Sequence, residues 1–125
     1  MENRNPNSKS GAFQGSRSDV WIFPNVKNNH VEKTKHPCQF PVELAERLVL
    51  SLTNRNDQVF DPYMGVGSTV VGAVKHGRHG LGCDIIPEYV DIAWERVHLL
   101  RAGHLKTRPM DRPVYDPTKP YGGHK

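Results

Sequence analysis

Two glycines and an aspartate have the spacing that is typical of a nucleoside-binding cleft. Gly65 and Gly67 stand in a loop between a predicted strand at 58–60 and a helix that begins at Ser68, and Asp84 ends the next predicted strand. Glycines allow a tight turn and a close approach to a ligand, and a helix start directs unpaired N–H groups toward it. A carboxylate at a strand end can accept hydrogen bonds from both hydroxyls of a ribose. The pattern indicates a nucleoside cleft; the alternative is a plain turn with Asp84 as a helix cap.

Asp61, at the mouth of this loop, discriminates between nucleoside ligands. The dinucleotide fingerprint requires a third glycine three positions after the second, where this sequence has Val70. A carboxylate at position 61 would repel a pyrophosphate and attract a cation. S-adenosylmethionine carries an ammonium, a sulfonium and a ribosyl adenine, so it fits these groups better than a dinucleotide does. A fragment of a nicotinamide-dependent oxidoreductase is therefore disfavoured.

The segments around the loop predict an α/β fold. Apolar residues recur at helical spacing after Pro41, residues 58–60 are predicted to form a short buried strand, and two further helices flank a glycine-rich strand at 80–83. The order helix, strand, helix, strand, helix predicts parallel strands joined by right-handed crossovers, as in a partial Rossmann-like sheet with flanking helices. Glu43 and Arg47 are predicted to pair on the solvent side of the first helix. The predicted buried positions are Ala45, Leu48, Val49 and Leu52 in the first helix and Val90, Ala93, Trp94 and Val97 in the third.

Composition limits the chain to one modest domain with basic flanks. Of its 125 residues 36% are apolar, which excludes a large multidomain enzyme. We predict a flexible basic arm over 1–18, an α/β domain over 19–104 and an extended basic tail over 105–125, lying on the domain. The basic flanks suit a polyanion such as nucleic acid, or they only keep the protein soluble.

The spacing of the cysteines and the length of the apolar runs bear on the cellular compartment of the protein. Cys38 and Cys83 are 45 positions apart and lack the paired spacing of a disulfide framework or a zinc ribbon, which favours a reducing cytoplasm. His76, His79 and Cys83 fall on different elements without a fourth ligand, so no metal site is predicted. No secretory signal core is present, and no apolar run approaches the roughly 18 residues of a membrane helix. We therefore expect a soluble cytoplasmic protein without a membrane partner.

Three motifs follow one another in the order of a known enzyme family. They are KHPCQFP at 35–41 with the helix after it, DPYMGVGST at 61–69, and GCDI with a later EY within 82–89. Together they resemble the DNA methyltransferases that modify exocyclic amines of adenine or cytosine, specifically the carboxy-terminal, cofactor-binding part of the circularly permuted class. Tyr63 and Ser68 are mild departures from the family's Asp-Pro-Phe-x-Gly-x-Gly-Thr-Thr loop.

The resemblance implies a role for each matched residue. Asp61 and Gly65 would contact the methionine part of S-adenosylmethionine, Asp84 would bind its ribose, and Ile85 would lie against its adenine. The other implied cofactor residues are Pro62, Tyr63, Gly67 and Ser68 in the loop, with His36, Gln39 and Phe40 closing the pocket from the opposite side. His36 is alternatively a capping or surface group, and Phe40 a staple for the helix.

The sequence lacks the other half of such an enzyme. These methyltransferases hold the flipped-out base with a Pro-Pro-aromatic loop headed by Asp, Asn or Ser, whereas this chain has ten prolines and no Pro-Pro pair. No catalytic residue is therefore predicted in it. We expect the S-adenosylmethionine-binding portion of a site-specific DNA methyltransferase, of the restriction-modification kind, that needs a complementing polypeptide with the catalytic loop and the target-recognition region. The alternatives are a non-catalytic cofactor- or DNA-binding module and an inactive remnant.

Overall fold

The described residues form a two-stranded parallel sheet with three helices, in the predicted order. The computed structural model describes residues 20–114. Strands β1 and β2 pair from Gln58 opposite His79 to Asp61 opposite Gly82. The arm at 1–18 and the end of the tail at 115–125 lie outside the described residues. The elements are α1 (Val42–Leu52), β1 (Gln58–Asp61), α2 (Ser68–Lys75), β2 (His79–Gly82) and α3 (Pro87–Arg101).

Small residues let the layers approach closely. A Cβ at Gly80 of β2 would lie 2.8 Å from the carbonyl oxygen of Val70, so α2 packs directly on the strand. A Cβ at Gly72 of α2 would lie 3.0 Å from Cβ of Ala45, so α1 packs directly on α2. The central apolar cluster then joins the three helices through Val42, Val71 and Val97.

A carboxylate from outside α1 caps that helix. Glu32 is buried, and its Oε2 accepts a hydrogen bond from the Val42 amide at 2.8 Å. Pro41, at the N-cap position, makes no side-chain cap bond, so Glu32 satisfies one of the otherwise unpaired amides of the first turn. Its Oε1 accepts from the Arg108 amide at 2.8 Å, which fastens the described part of the tail to the start of α1.

The prediction that Glu43 and Arg47 lie on the solvent side of α1 is wrong. Glu43 and Arg47 are both buried. Glu43 pairs with Arg108 at 2.6 Å, and Arg47 pairs with Asp111 at 3.2 Å. The Arg47 guanidinium also lies over the rings of Trp21 and Phe23, 5.6 and 5.3 Å from their centroids. Segments far away in the sequence cover this face, and helical periodicity alone does not reveal them.

The predicted apolar stripes are only half buried. In α1, Ala45 and Val49 are buried while Leu48 and Leu52 are 43% and 77% exposed. In α3, Ala93 and Val97 are buried while Trp94 is 59% exposed. The prediction of a buried β1 is also wrong at Phe60, which is 63% exposed. Residues 20–114 therefore leave apolar surface exposed on α1, β1 and α3.

No helix among residues 20–114 is long and apolar enough to cross a membrane. Within the same span, no group of three or more His, Cys, Asp or Glu side chains is placed to hold a metal ion.

Candidate cofactor site

Parallel pairing brings the two predicted carboxylates to one edge of the sheet. Asp61 is the last residue of β1 and lies opposite Gly82, the last residue of β2. The Cys83 amide donates to the carbonyl of Asp61 at 3.2 Å, which continues the pairing beyond the strands. Asp84 follows directly, so both carboxylates stand where the strands end. This edge is where open α/β sheets bind ligands.

The Asp61 carboxylate is held against the start of α2. Its Oδ1 accepts from the Tyr63 amide at 3.0 Å, and its Oδ2 accepts from the Thr69 hydroxyl at 2.6 Å. Thr69 lies in the first turn of α2, whose positive dipole end favours a negative charge. Each carboxylate oxygen can accept a second hydrogen bond, so Asp61 retains acceptor capacity for a cation or an ammonium group.

Asp84 fastens the glycine loop to the end of β2. Its Oδ2 accepts from the Gly65 amide at 3.0 Å, and its Oδ1 accepts from the Ile86 amide at 2.9 Å. The Met64 amide donates to the Cys83 carbonyl at 3.1 Å and adds a second link between loop and strand end. Asp84 therefore orders the loop and the entry to α3, and its remaining lone pairs are at the same edge as those of Asp61.

The two loop glycines are required by neighbouring side chains as well as by their backbone conformation. Gly65 has φ +52°, and a Cβ there would lie 3.0 Å from Nε2 of His36. Gly67 has φ +79°, and a Cβ there would lie 2.7 Å from Cβ of Ala93. Positive φ favours glycine. Besides allowing a ligand to approach, the two glycines leave room for His36 and for helix α3, which pack against the loop.

His36 forms a wall beside the loop together with Tyr89. The His36 ring lies 4.6 Å from the Tyr89 ring, centroid to centroid, at a tilt of 50°. Its Nδ1 accepts from the Cys38 amide at 3.1 Å, so in the neutral ring the proton sits on Nε2, the atom facing Gly65. Tyr89 is not among the predicted site residues, although it belongs to the EY pair of the third motif.

Three further predicted site residues use their polar groups inside the protein. The Gln39 amide is buried, accepts from the Thr34 amide and hydroxyl, and donates to the Glu32 carbonyl. The Ser68 hydroxyl donates to the Phe40 carbonyl at 3.0 Å. Gln39 and Ser68 thus build the walls through internal bonds, and the Phe40 ring lines an apolar groove along α1.

The remaining predicted residues flank the sheet edge in solvent. Tyr63 is 87% exposed and Ile85 is 96% exposed. The carbonyl of Pro62 accepts a hydrogen bond from the Cys83 thiol at 3.3 Å, joining the two strand ends once more. Tyr63, two residues after Asp61, and Ile85, directly after Asp84, therefore offer open apolar surface at the strand ends.

Arg96 is a buried residue behind the loop that sequence reasoning missed. It lies on α3, and its Nη1 donates to the Val66 carbonyl at 2.7 Å and reaches the Ser68 hydroxyl oxygen at 3.3 Å. Burial lowers the pKa of Arg96 from its usual value, and the Glu32 carboxylate offsets only part of this lowering. A signal was available, because Arg96 stands three positions after Ala93 and so shares its buried helical face.

Comparison with known proteins identifies the family of this chain. The family model for N6/N4 DNA methylases, described as "DNA methylase", matches residues 1–95. The chain belongs to this DNA methylase family.

The relatives include longer type II methyltransferases. The chain is 49% identical over 77 residues to the type II methyltransferase M.BglII of Bacillus subtilis, and the match covers 62% of this chain and 21% of that protein. It is 35% identical over 100 residues to the type II methyltransferase M.ScaI of Streptomyces caespitosus, covering 77% of this chain and 33% of that protein. The chain thus spans a fifth to a third of the length of these relatives.

A solved structure supports the fold. The crystal structure of an M1.HpyAVI–SAM complex matches with a TM-score of 0.55 and 32% identity, over 70% of this chain and 44% of that one. The parallel sheet with flanking helices is therefore part of a Rossmann-like methyltransferase fold, as the sequence analysis predicted.

The steric role of Gly67 can be separated from the cost of its positive φ. Gly103 has φ +73° and open space within 4 Å of where a Cβ would stand, whereas a Cβ at Gly67 meets Ala93. We expect Gly103→Ala to cost about 1–2 kcal/mol of unfolding free energy from the left-handed conformation. Gly67→Ala should cost a further ~1–3 kcal/mol from overpacking. Urea denaturation measures both, and equal losses would contradict the packing of α3 on the loop.

Proposed function

We propose that the sheet edge bearing Asp61 and Asp84 binds S-adenosylmethionine. The observation that carries this proposal is the meeting of the two carboxylates at one glycine loop, with Asp84 bonded to the Gly65 amide at 3.0 Å. Two carboxylates beside a bare backbone turn suit a ligand that combines cationic groups with ribose hydroxyls. Membership of the DNA methylase family, and the presence of SAM in the M1.HpyAVI structure, support the same assignment.

Different residues would contact the methionine, ribose and adenine parts of the ligand. Asp61, with its carboxylate at the start of α2, and the Gly65 backbone would hold the methionine part, and Asp84 would accept from the ribose. Ile85, almost fully exposed, would pack against the adenine. His36 would close the site beside Gly65, and Gly67, Ser68, Gln39 and Phe40 would shape its walls. The cofactor, when bound, supplies a methyl group activated on a sulfonium.

We propose that the chain is the cofactor-binding part of a DNA methyltransferase acting on exocyclic amines of adenine or cytosine, in the reducing cytoplasm. Family membership supports the reaction class. The amine's lone pair is delocalised into the ring, so this chemistry depends on positioning the flipped-out base against the methyl group. With no Pro-Pro pair in the sequence, a complementing polypeptide would supply the Pro-Pro-aromatic loop and the surface that reads DNA.

A groove along α1 and β1 is the surface that we assign to this complementing polypeptide. It has a volume of about 380 Å³ and almost entirely apolar walls, formed by Phe40, Leu44, Leu48, Leu52 and Val59 with their neighbours. The occupant is inferred from the length of the relatives. The match leaves 67% to 79% of each relative's chain uncovered, and that remainder corresponds to the polypeptide that would fill the groove. β1 pairs only with β2 among the described strands, so its other edge can accept a further strand.

The groove is connected to the carboxylate edge. Thr69 lines the groove and donates its hydroxyl to Asp61, so a polypeptide seated there would border the cofactor site. The apolar segment 20–23 is a second candidate surface for such a polypeptide, but it is partly used within the chain, since Trp21 and Phe23 lie against Arg47.

Calorimetric titration with S-adenosylmethionine tests the site. The chain should bind the cofactor, and Asp84→Ala should weaken binding at least about tenfold, because a hydrogen bond to a charged group contributes roughly 1.5–3 kcal/mol. Asp91→Ala removes an exposed carboxylate from α3 and should leave the affinity unchanged. Absence of binding by the unaltered chain would contradict the proposal, and DNA binding without cofactor binding would favour a non-catalytic module.

A methyl-transfer assay tests whether the partner binds in the groove. The chain is mixed with polypeptides that carry the Pro-Pro-aromatic loop, and transfer of labelled methyl groups to DNA is measured. Leu48→Asp should reduce labelled methyl transfer more than tenfold, because a buried unpaired carboxylate costs several kcal/mol. Leu99→Asp places the same charge on a partly exposed position of α3 and should leave transfer intact. Equal transfer by the two variants would show that the partner does not occupy the groove; transfer by no mixture would favour an inactive remnant.

A further inference from the structure

Arg96 reaches from α3 to the back of the glycine loop. Its side chain is almost entirely buried, with the residue 5% exposed. The Nη1 atom donates to the Val66 carbonyl at 2.7 Å and lies 3.3 Å from the Ser68 hydroxyl oxygen. Val66 is the residue between the two glycines, and Ser68 begins α2. A single guanidinium therefore holds the centre and the end of the loop.

The peptide between Val66 and Gly67 is held at both ends. Its carbonyl accepts from Arg96, and its N–H, on Gly67, donates to the Met64 carbonyl at 2.8 Å. Because the peptide unit is planar, these two bonds determine its orientation. That orientation accompanies the left-handed conformation of Gly67, at φ +79°. Without the bond to Arg96, the carbonyl of Val66 would lose its anchor and the peptide could rotate.

The same guanidinium connects the elements that surround the sheet edge. The Ser68 hydroxyl that accepts from Arg96 itself donates to the Phe40 carbonyl, just before α1. Arginine keeps its charge in proteins, and bonds from an ionised donor are stronger than neutral ones. The Glu32 carboxylate, which caps α1, provides the compensating negative charge. Arg96 thus ties α3, the loop, the start of α2 and the entry to α1 into one unit.

We propose that Arg96 is a positioning residue for the cofactor loop: it sets the orientation of the Val66–Gly67 peptide, and through it the loop conformation that receives S-adenosylmethionine. This inference rests on the proposed function for the identity of the ligand. It does not require Arg96 to touch the ligand, because its bonds are made to the loop from the side of α3.

The test combines amide hydrogen exchange with cofactor titration on the full chain. In Arg96→Met, exchange at residues 64–68 should accelerate about tenfold or more relative to the rest of the domain, and cofactor affinity should fall by a similar factor. Arg96→Lys retains one cationic donor and should recover part of both losses. Arg101→Met removes an exposed arginine at the end of the same helix and should change neither.

Two results would overturn the inference. One is unchanged loop exchange and affinity in a folded Arg96 variant. The other is exchange that accelerates uniformly across the domain, which would indicate a purely global stabilising role. Should Arg96→Met fail to fold, Arg96→Lys decides the question by the same comparison of loop and domain. If the unaltered chain does not bind S-adenosylmethionine, the proposed function fails, while loop exchange still decides the role of Arg96.

Discussion

The hydrogen bond from the Gly65 amide to Asp84 is the contact on which the site depends. It joins the loop after β1 to the end of β2, two points 19 residues apart in the sequence. The parallel pairing of Asp61 with Gly82 makes that bond possible, because it brings both strand ends to one edge. If the register slipped by one residue, the side chains of one strand would turn to the other face, and Asp84 would no longer be placed to bond the loop that follows Asp61.

Buried charges, rather than a large apolar core, hold the segments around this edge. Glu32 caps α1 and receives the Arg108 amide, Glu43 pairs with the Arg108 side chain, and Arg96 anchors the loop. The apolar cluster that joins the helices is small. Each buried charged group requires several directed hydrogen-bond partners. These bonds constrain the loop more tightly than apolar packing alone would. The apolar side chains Leu48 and Leu52 of α1 stay exposed.

The sequence predicted the order of elements, the parallel sheet and the convergence of the two strand ends, because helical periodicity and loop chemistry are local signals. It did not predict the burial of Glu43 and Arg47, whose partner Asp111 and neighbour Trp21 are distant in the chain. It also missed Arg96, an arginine on an apolar helical face, and placed Leu48 and Leu52 in a core that residues 20–114 do not complete. Local sequence patterns therefore predict secondary-structure elements, whereas ion pairs between distant segments and uncovered apolar side chains become visible only in the three-dimensional structure.

We propose that a cationic nucleoside binds between the carboxylates that follow one another at the ends of β1 and β2. Backbone amide NMR of the chain during titration with S-adenosylmethionine tests it most directly, because each residue reports separately. We expect the largest chemical-shift changes at the amides of Asp61, residues 63–68 and residues 84–86, with little change within 104–114. Changes centred elsewhere in the domain, or none at millimolar cofactor, would contradict it.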